Sequence, residues 1–220
     1  MSEQTGTART SHGGAAPSHP LATPPGDVAR SPSASRRRAL TLGAGMATLG
    51  VAVGAGYLLY QPSHDRQLVY ARISDAMKEV DRLHAASVQP LEPATAWTWS
   101  QTLEHCAQSI EFSLAGFPEP KSAVFQRTAG TTAFSLFAWR GRMSHDLAEP
   151  IPGAPALTAP IADASAALAR LKAAVTAFEL HPGPLHPHFA YGVLSRAQYE
   201  QAHAMHLANH LSAFDARISR

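Results

Sequence analysis

Cysteine is all but missing from this chain: there is one, Cys106, in 220 residues. A lone thiol excludes an internal disulfide framework and any paired-cysteine zinc site. Charged residues make up only 15% of the chain and aromatic residues 7%. So little charge argues against a coiled coil, while a hydrophobic share of 45% argues against a wholly unfolded chain. No stretch sustains apolar alternation at period two, and no βαβ pattern occurs. A clustered basic face is missing as well. Residues 1–38 carry five arginines against Glu3 and Asp27, and residues 39–60 carry no charge. Residues 61–220 carry thirteen basic and fourteen acidic side chains. The excess positive charge belongs to the amino-terminal tail, so nucleic acid is set aside as a partner.

What is present divides into three zones. Residues 1–34 are rich in Ser, Thr, Gly, Ala and Pro and are expected to form a disordered tail, because they cannot bury enough surface to offset ordering. Next comes Ser35-Arg36-Arg37-Arg38-Ala39-Leu40, followed by an uncharged run to Tyr60. This resembles a twin-arginine export signal. Ala39 and Thr41 stand where Phe and Lys are usual. The run is mild and glycine-rich, and as a helix it is about 33 Å long, enough to cross a hydrocarbon core. The arginines would hold its first end in the cytoplasm. A plain anchor without twin-arginine routing fits the same residues. Ala52-Val53-Gly54 is a poor cleavage site, so the segment can persist as an anchor. The expected zones are a tail at 1–34, a signal or transmembrane segment at 35–60, and a helical domain at 61–220. The implied partners are the Tat translocase and the inner membrane through residues 39–60. The domain is then membrane-anchored or periplasmic and faces the periplasm or exterior.

Helical periodicity predicts helices over about 64–86, 95–115, 121–139, 160–179 and 195–218. Gly116 followed by Phe117-Pro118 reads as a helix exit, and Ser195 with Gln198 as a capping box. Four prolines in 149–160 mark an ordered loop or linker. The expected fold is all-α: a four-helix bundle with an additional short helix.

Histidine is the over-represented residue, with twelve in the chain and ten of them after residue 60. His64 and His84 read as surface or helix-end residues, and His181, His186 and His188 as loop residues. His145 reads as a surface-loop residue that can reach the mouth of a site. His203, His206 and His210 share one face of the last helix. A pair at i and i+4 can present two imidazoles to one metal, and neutral imidazole suits zinc. A partly buried polar stripe, satisfied by backbone and water, has the same spacing. His105 sits in the middle of the second helix and is a third candidate. Cys106, next to it, is turned about 100° away and reads as a packing residue.

Trp99-Ser100 followed by Leu103-x-His105, together with His206-x-x-x-His210, resembles the DinB-like (YfiT-like) superfamily of four-helix metalloproteins. The closer likeness is to a branch of unknown function. It rests on His105-Cys106-Ala107-Gln108-Ser109-Ile110-Glu111, on His203-x-x-His206-x-x-x-His210-Leu211, and on Pro187-His188-Phe189-x-x-Gly192-x-Leu194-Ser195. It covers about residues 64–218. The resemblance implies a divalent metal, zinc first with nickel or iron as alternatives, held by His105, His206 and His210. His203 is then left over as a general base, a substitute ligand or a proton shuttle. Gln101 and Gln108 are candidates for orienting a ligand, whereas Glu111 is poorly placed on the helix. Trp97, Trp99 and Trp139 read as core or bundle-end residues. A divalent ion on three neutral imidazoles keeps its full charge and can acidify a water or a substrate thiol. The implied activity is that of a metal-dependent hydrolase or transferase acting on an unknown small molecule, with a homodimer also allowed. The alternative is a non-catalytic, membrane-anchored metal- or partner-binding module.

Overall fold

A computed structural model of the protein describes residues 66–91, 95–160 and 164–217. The expected tail, the twin-arginine motif and the apolar run at 39–60 lie outside these residues. Among the described residues, no helix is long and apolar enough to cross a membrane.

The described chain is mostly helical. Its long helices are α1 (Ile73–His84), α2 (Trp99–Ala115), α3 (Thr131–Arg140), α4 (Ser165–Leu180) and α5 (Arg196–Leu211). α2 lies along α4 and touches α5, α1 packs on α5, and α3 leans on α5. An ion pair from Lys172 to Asp81 (2.7 Å) links α4 to α1. Leu83, Leu103, Ile110, Leu171, Phe178 and Tyr199 are among the side chains sealed in the shared core. Cys106 is buried there too, and burial pushes its thiol up to about 12, which leaves it as an apolar filler.

Local chemistry sets several helix ends. Thr98 and Gln101 form a capping box that opens α2, and Ser195 and Gln198 form one that opens α5. α1 has no side-chain cap of its own. Instead, the Ile73 amide donates to the Glu200 carboxylate of α5 (2.9 Å), which places a negative charge at a helix amino terminus.

Three expectations are corrected. First, α1 starts at Ile73, not at 64, because the preceding residues are committed elsewhere. The Arg66 amide donates to the Ser212 carbonyl and the Leu68 amide to Ser212 Oγ, both at 2.9 Å. Second, the fold is not purely helical. α5 stops at Leu211, and β2 (Phe214–Arg217) pairs antiparallel with β1 (Ser87–Pro90), in a register running from Ser87 opposite Arg217 to Pro90 opposite Phe214. Third, the helix expected over 121–139 is interrupted. It begins as a turn at Ala123–Phe125, widens into a π-helix at Gln126–Gly130 and tightens again as α3. Gly130 lies so close to the backbone of Ala190 that a Cβ would sit 2.0 Å from that carbonyl oxygen.

Candidate metal centre

α2 carries His105, and α5 carries His206 and His210 one turn apart. Their positions bring three imidazoles together. His206 Nε2 lies 3.2 Å from His105 Nε2 and 3.1 Å from His210 Nε2. One nitrogen from each ring falls within 4.8 Å of the others, so the group could hold a metal ion. His105 and His210 are 2% and 1% exposed, and His206 is half-buried. Trp97 covers two of them, stacked on His210 at 5.9 Å and tilted against His105 at 4.6 Å. Burial, assisted by His145, pushes His105 down to about 3. Burial and neighbouring histidines hold His206 and His210 well below the ordinary imidazole range. All three rings are therefore neutral at pH 7, the state a metal requires.

The donor set fits a divalent ion. A tetrahedral ion with bonds of about 2.0–2.1 Å sets its ligand nitrogens about 3.3 Å apart, close to the spacings of His206 from His105 and from His210. Hydrogen bonding alone serves the cluster poorly. His206 Nε2 has either one lone pair or one proton to share between two neighbours.

His203 is close by but does not join the three. Its Nε2 lies 3.2 Å from Ser113 Oγ, and that hydroxyl donates its only proton to the Ile110 carbonyl at 2.6 Å. Ser113 must therefore accept from His203, which places the proton on Nε2 and leaves the lone pair on Nδ1. The ring is stacked on Tyr199 at 5.4 Å and meets the edge of Phe178 at 5.2 Å. Burial pushes it down to about 3.

A cavity of about 140 Å³ opens beside the cluster, lined by His105, His203 and His206, by Ser109 and Glu149, and by apolar groups such as Met143, Ile151 and Phe189. Two further histidines line it: His188, which reads as a loop residue in the sequence, and His145, which reads as a surface-loop residue able to reach the mouth of a site. His188 Nδ1 accepts from the amides of Ala190 (3.1 Å) and Tyr191 (3.2 Å), so its proton sits on Nε2. Burial, then His203 and His145, pushes it down to about 3. His145 sits over the cluster, with its ring 5.3 Å from that of His206 and 5.0 Å from that of His210. The unusual length of the connection between α3 and α4 was the available signal for His145, since long ordered loops tend to carry function.

Other candidates do different work. Gln101 caps α2, Gln108 donates to the Pro155 carbonyl (3.0 Å), and Glu111 pairs with Arg170 (2.7 Å). Trp97 covers the histidines, Trp99 packs edge-on against Phe214, and Trp139 is exposed.

A family model described as "Protein of unknown function (DUF1569)" matches residues 63–217. The chain belongs to this family. The three-histidine cluster and the cavity therefore both lie within the DUF1569 match. No curated protein and no solved structure matches the chain.

Proposed function

We propose that this DUF1569 protein is an exported, DinB-like helical protein that binds a divalent metal through His105, His206 and His210. Its activity is that of a metal-dependent hydrolase or transferase acting on a small molecule. The observation that carries this reading is the convergence of three neutral imidazole nitrogens from two helices, with the rings of His105 and His206 lining a cavity. The helical fold and the order of the histidines along it support the DinB-like likeness. The ion would supply Lewis acidity. The chain's own groups divide the remaining work. His188 offers an Nε2 proton as a fixed donor, and His203 offers Nδ1 as an acceptor. Zinc suits three imidazoles best, with nickel or iron as alternatives.

The test is metal content. The full chain, purified without chelators and dialysed against zinc, should retain about one ion per molecule, and His206→Ala should retain far less. Zinc at trace levels in both would overturn the reading. A second reading, a non-catalytic metal-binding module on a membrane anchor, is favoured by the ring of His145 lying over the cluster.

A further inference from the structure

We infer that the outer face of the segment from Lys121 to Arg142 is a docking surface for an anionic phospholipid membrane. The inference does not use the metal centre. It starts from apolar side chains that the fold leaves outside. Trp139 is 81% exposed and Val124 66% exposed, and Phe125 is exposed beside Val124. Val69, also exposed, extends the face beyond Trp139, since a Cβ on Gly141 would lie 3.5 Å from its Cγ1. Exposed apolar groups gathered on one face, rimmed by polar ones, mark an interaction site.

The segment has two distinct sides. Gly130, Phe134 and Phe137 are buried on the inner one. Val124, Thr128, Thr131, Ser135 and Trp139 follow one another three or four residues apart, and all are exposed. The three hydroxyls on this ridge donate to carbonyls of their own segment. Thr128 bonds Val124 (2.7 Å), Thr131 bonds Gln126 (2.8 Å) and Ser135 bonds Thr131 (2.8 Å). Their protons are already placed, and none of the five ridge residues carries a charge. Such a ridge loses little on leaving water.

Charge selects the occupant. From Pro120 through His145 the chain has Lys121, Arg127, Arg140 and Arg142 and no acidic residue. Lys121 and Arg127 are exposed near Val124, and Arg140 and Arg142 are half-buried next to Trp139 in the chain. A second copy of this face would set like charges against each other. A negatively charged lipid surface matches both features. Lys and Arg stay among the phosphates, while the indole enters the interface. Five residues separate Tyr60 from Arg66, so an anchor at 39–60 would hold the start of the domain within about 20 Å of a bilayer. The face itself does not require that anchor.

The experiment uses the full chain and Trp139→Phe, mixed with vesicles whose acyl chains carry bromine. One set is phosphatidylcholine alone, and the other contains about one-third phosphatidylglycerol. The difference in tryptophan emission between the two proteins reports Trp139. With phosphatidylglycerol that signal should move to shorter wavelength and be quenched by the bromine. The double variant Lys121→Gln, Arg127→Gln should need at least about threefold more phosphatidylglycerol for half-quenching. A Trp139 signal that bromine never quenches, and that aqueous acrylamide quenches as well with vesicles as without, would overturn the inference. Equal quenching in both kinds of vesicle, unchanged in the double variant, would overturn it too. So would shielding of Trp139 without lipid as protein concentration rises, which would give the face to a second copy.

Discussion

Single protons decide how these histidines are used. His188 and His203 are each fixed in one tautomer by a neighbour that has no alternative, two backbone amides in one case and a committed serine hydroxyl in the other. Both are neutral inside the fold, and burial leads the causes that push each down to about 3. In the unfolded chain they return to about 6.5. The unfolded state therefore takes up protons first as pH falls. The stability these residues contribute is complete above about pH 6.5 and is lost progressively toward pH 3, by at most about 1.4 kcal/mol per pH unit for each histidine. Urea midpoints of the full chain should fall steadily from pH 7 through 5 to 4. A flat midpoint over that range would contradict neutral burial.

At the level of elements, the π-helical stretch ties the start of α3 to the turn that carries His188. Gln126 Nε2 donates to the Phe189 carbonyl (3.1 Å), and Gly130 allows the Ala190 backbone to approach. Gly130→Ala should cost about 1–3 kcal/mol, because its Cβ meets backbone atoms that cannot swing aside. Thermal melting measures this, and an unchanged midpoint would show that the turn gives way. The long helices were legible in the sequence because periodicity and caps such as Ser195 with Gln198 are written into neighbouring residues. The ribbon of β1 and β2 was not, since each strand has four residues and its partner lies at the other end of the domain. The cluster was partly legible. His206 and His210 announce themselves by spacing and His105 by resemblance. His145 depends on how a long connection folds back, which no local pattern records. His188 and the cover of Trp97 are likewise products of packing.

For the whole molecule, the proposed export address is separable from the helical domain. A reporter fused to residues 1–60 should be exported, and replacing Arg36 and Arg37 together by Lys should stop export, as cell fractionation would show. Undiminished export would remove the twin-arginine routing. The helical domain has its own closure. Arg66 binds the Phe214 carbonyl (2.8 Å), pairs with Glu79 and reaches Asp215 (3.8 Å), while Arg82 joins Glu79 (2.7 Å) and Asp215 (3.4 Å). Burial alone would raise the Glu79 carboxyl, but Arg82 and Arg66 hold it below its usual value. Where the described chain begins and where it ends are thus neighbours. Topologically the domain is a ring cut once, and packing does not dictate where the cut must fall. Joining residue 217 to residue 66 and reopening the chain at an exposed turn would change the order of synthesis while leaving the helices their partners.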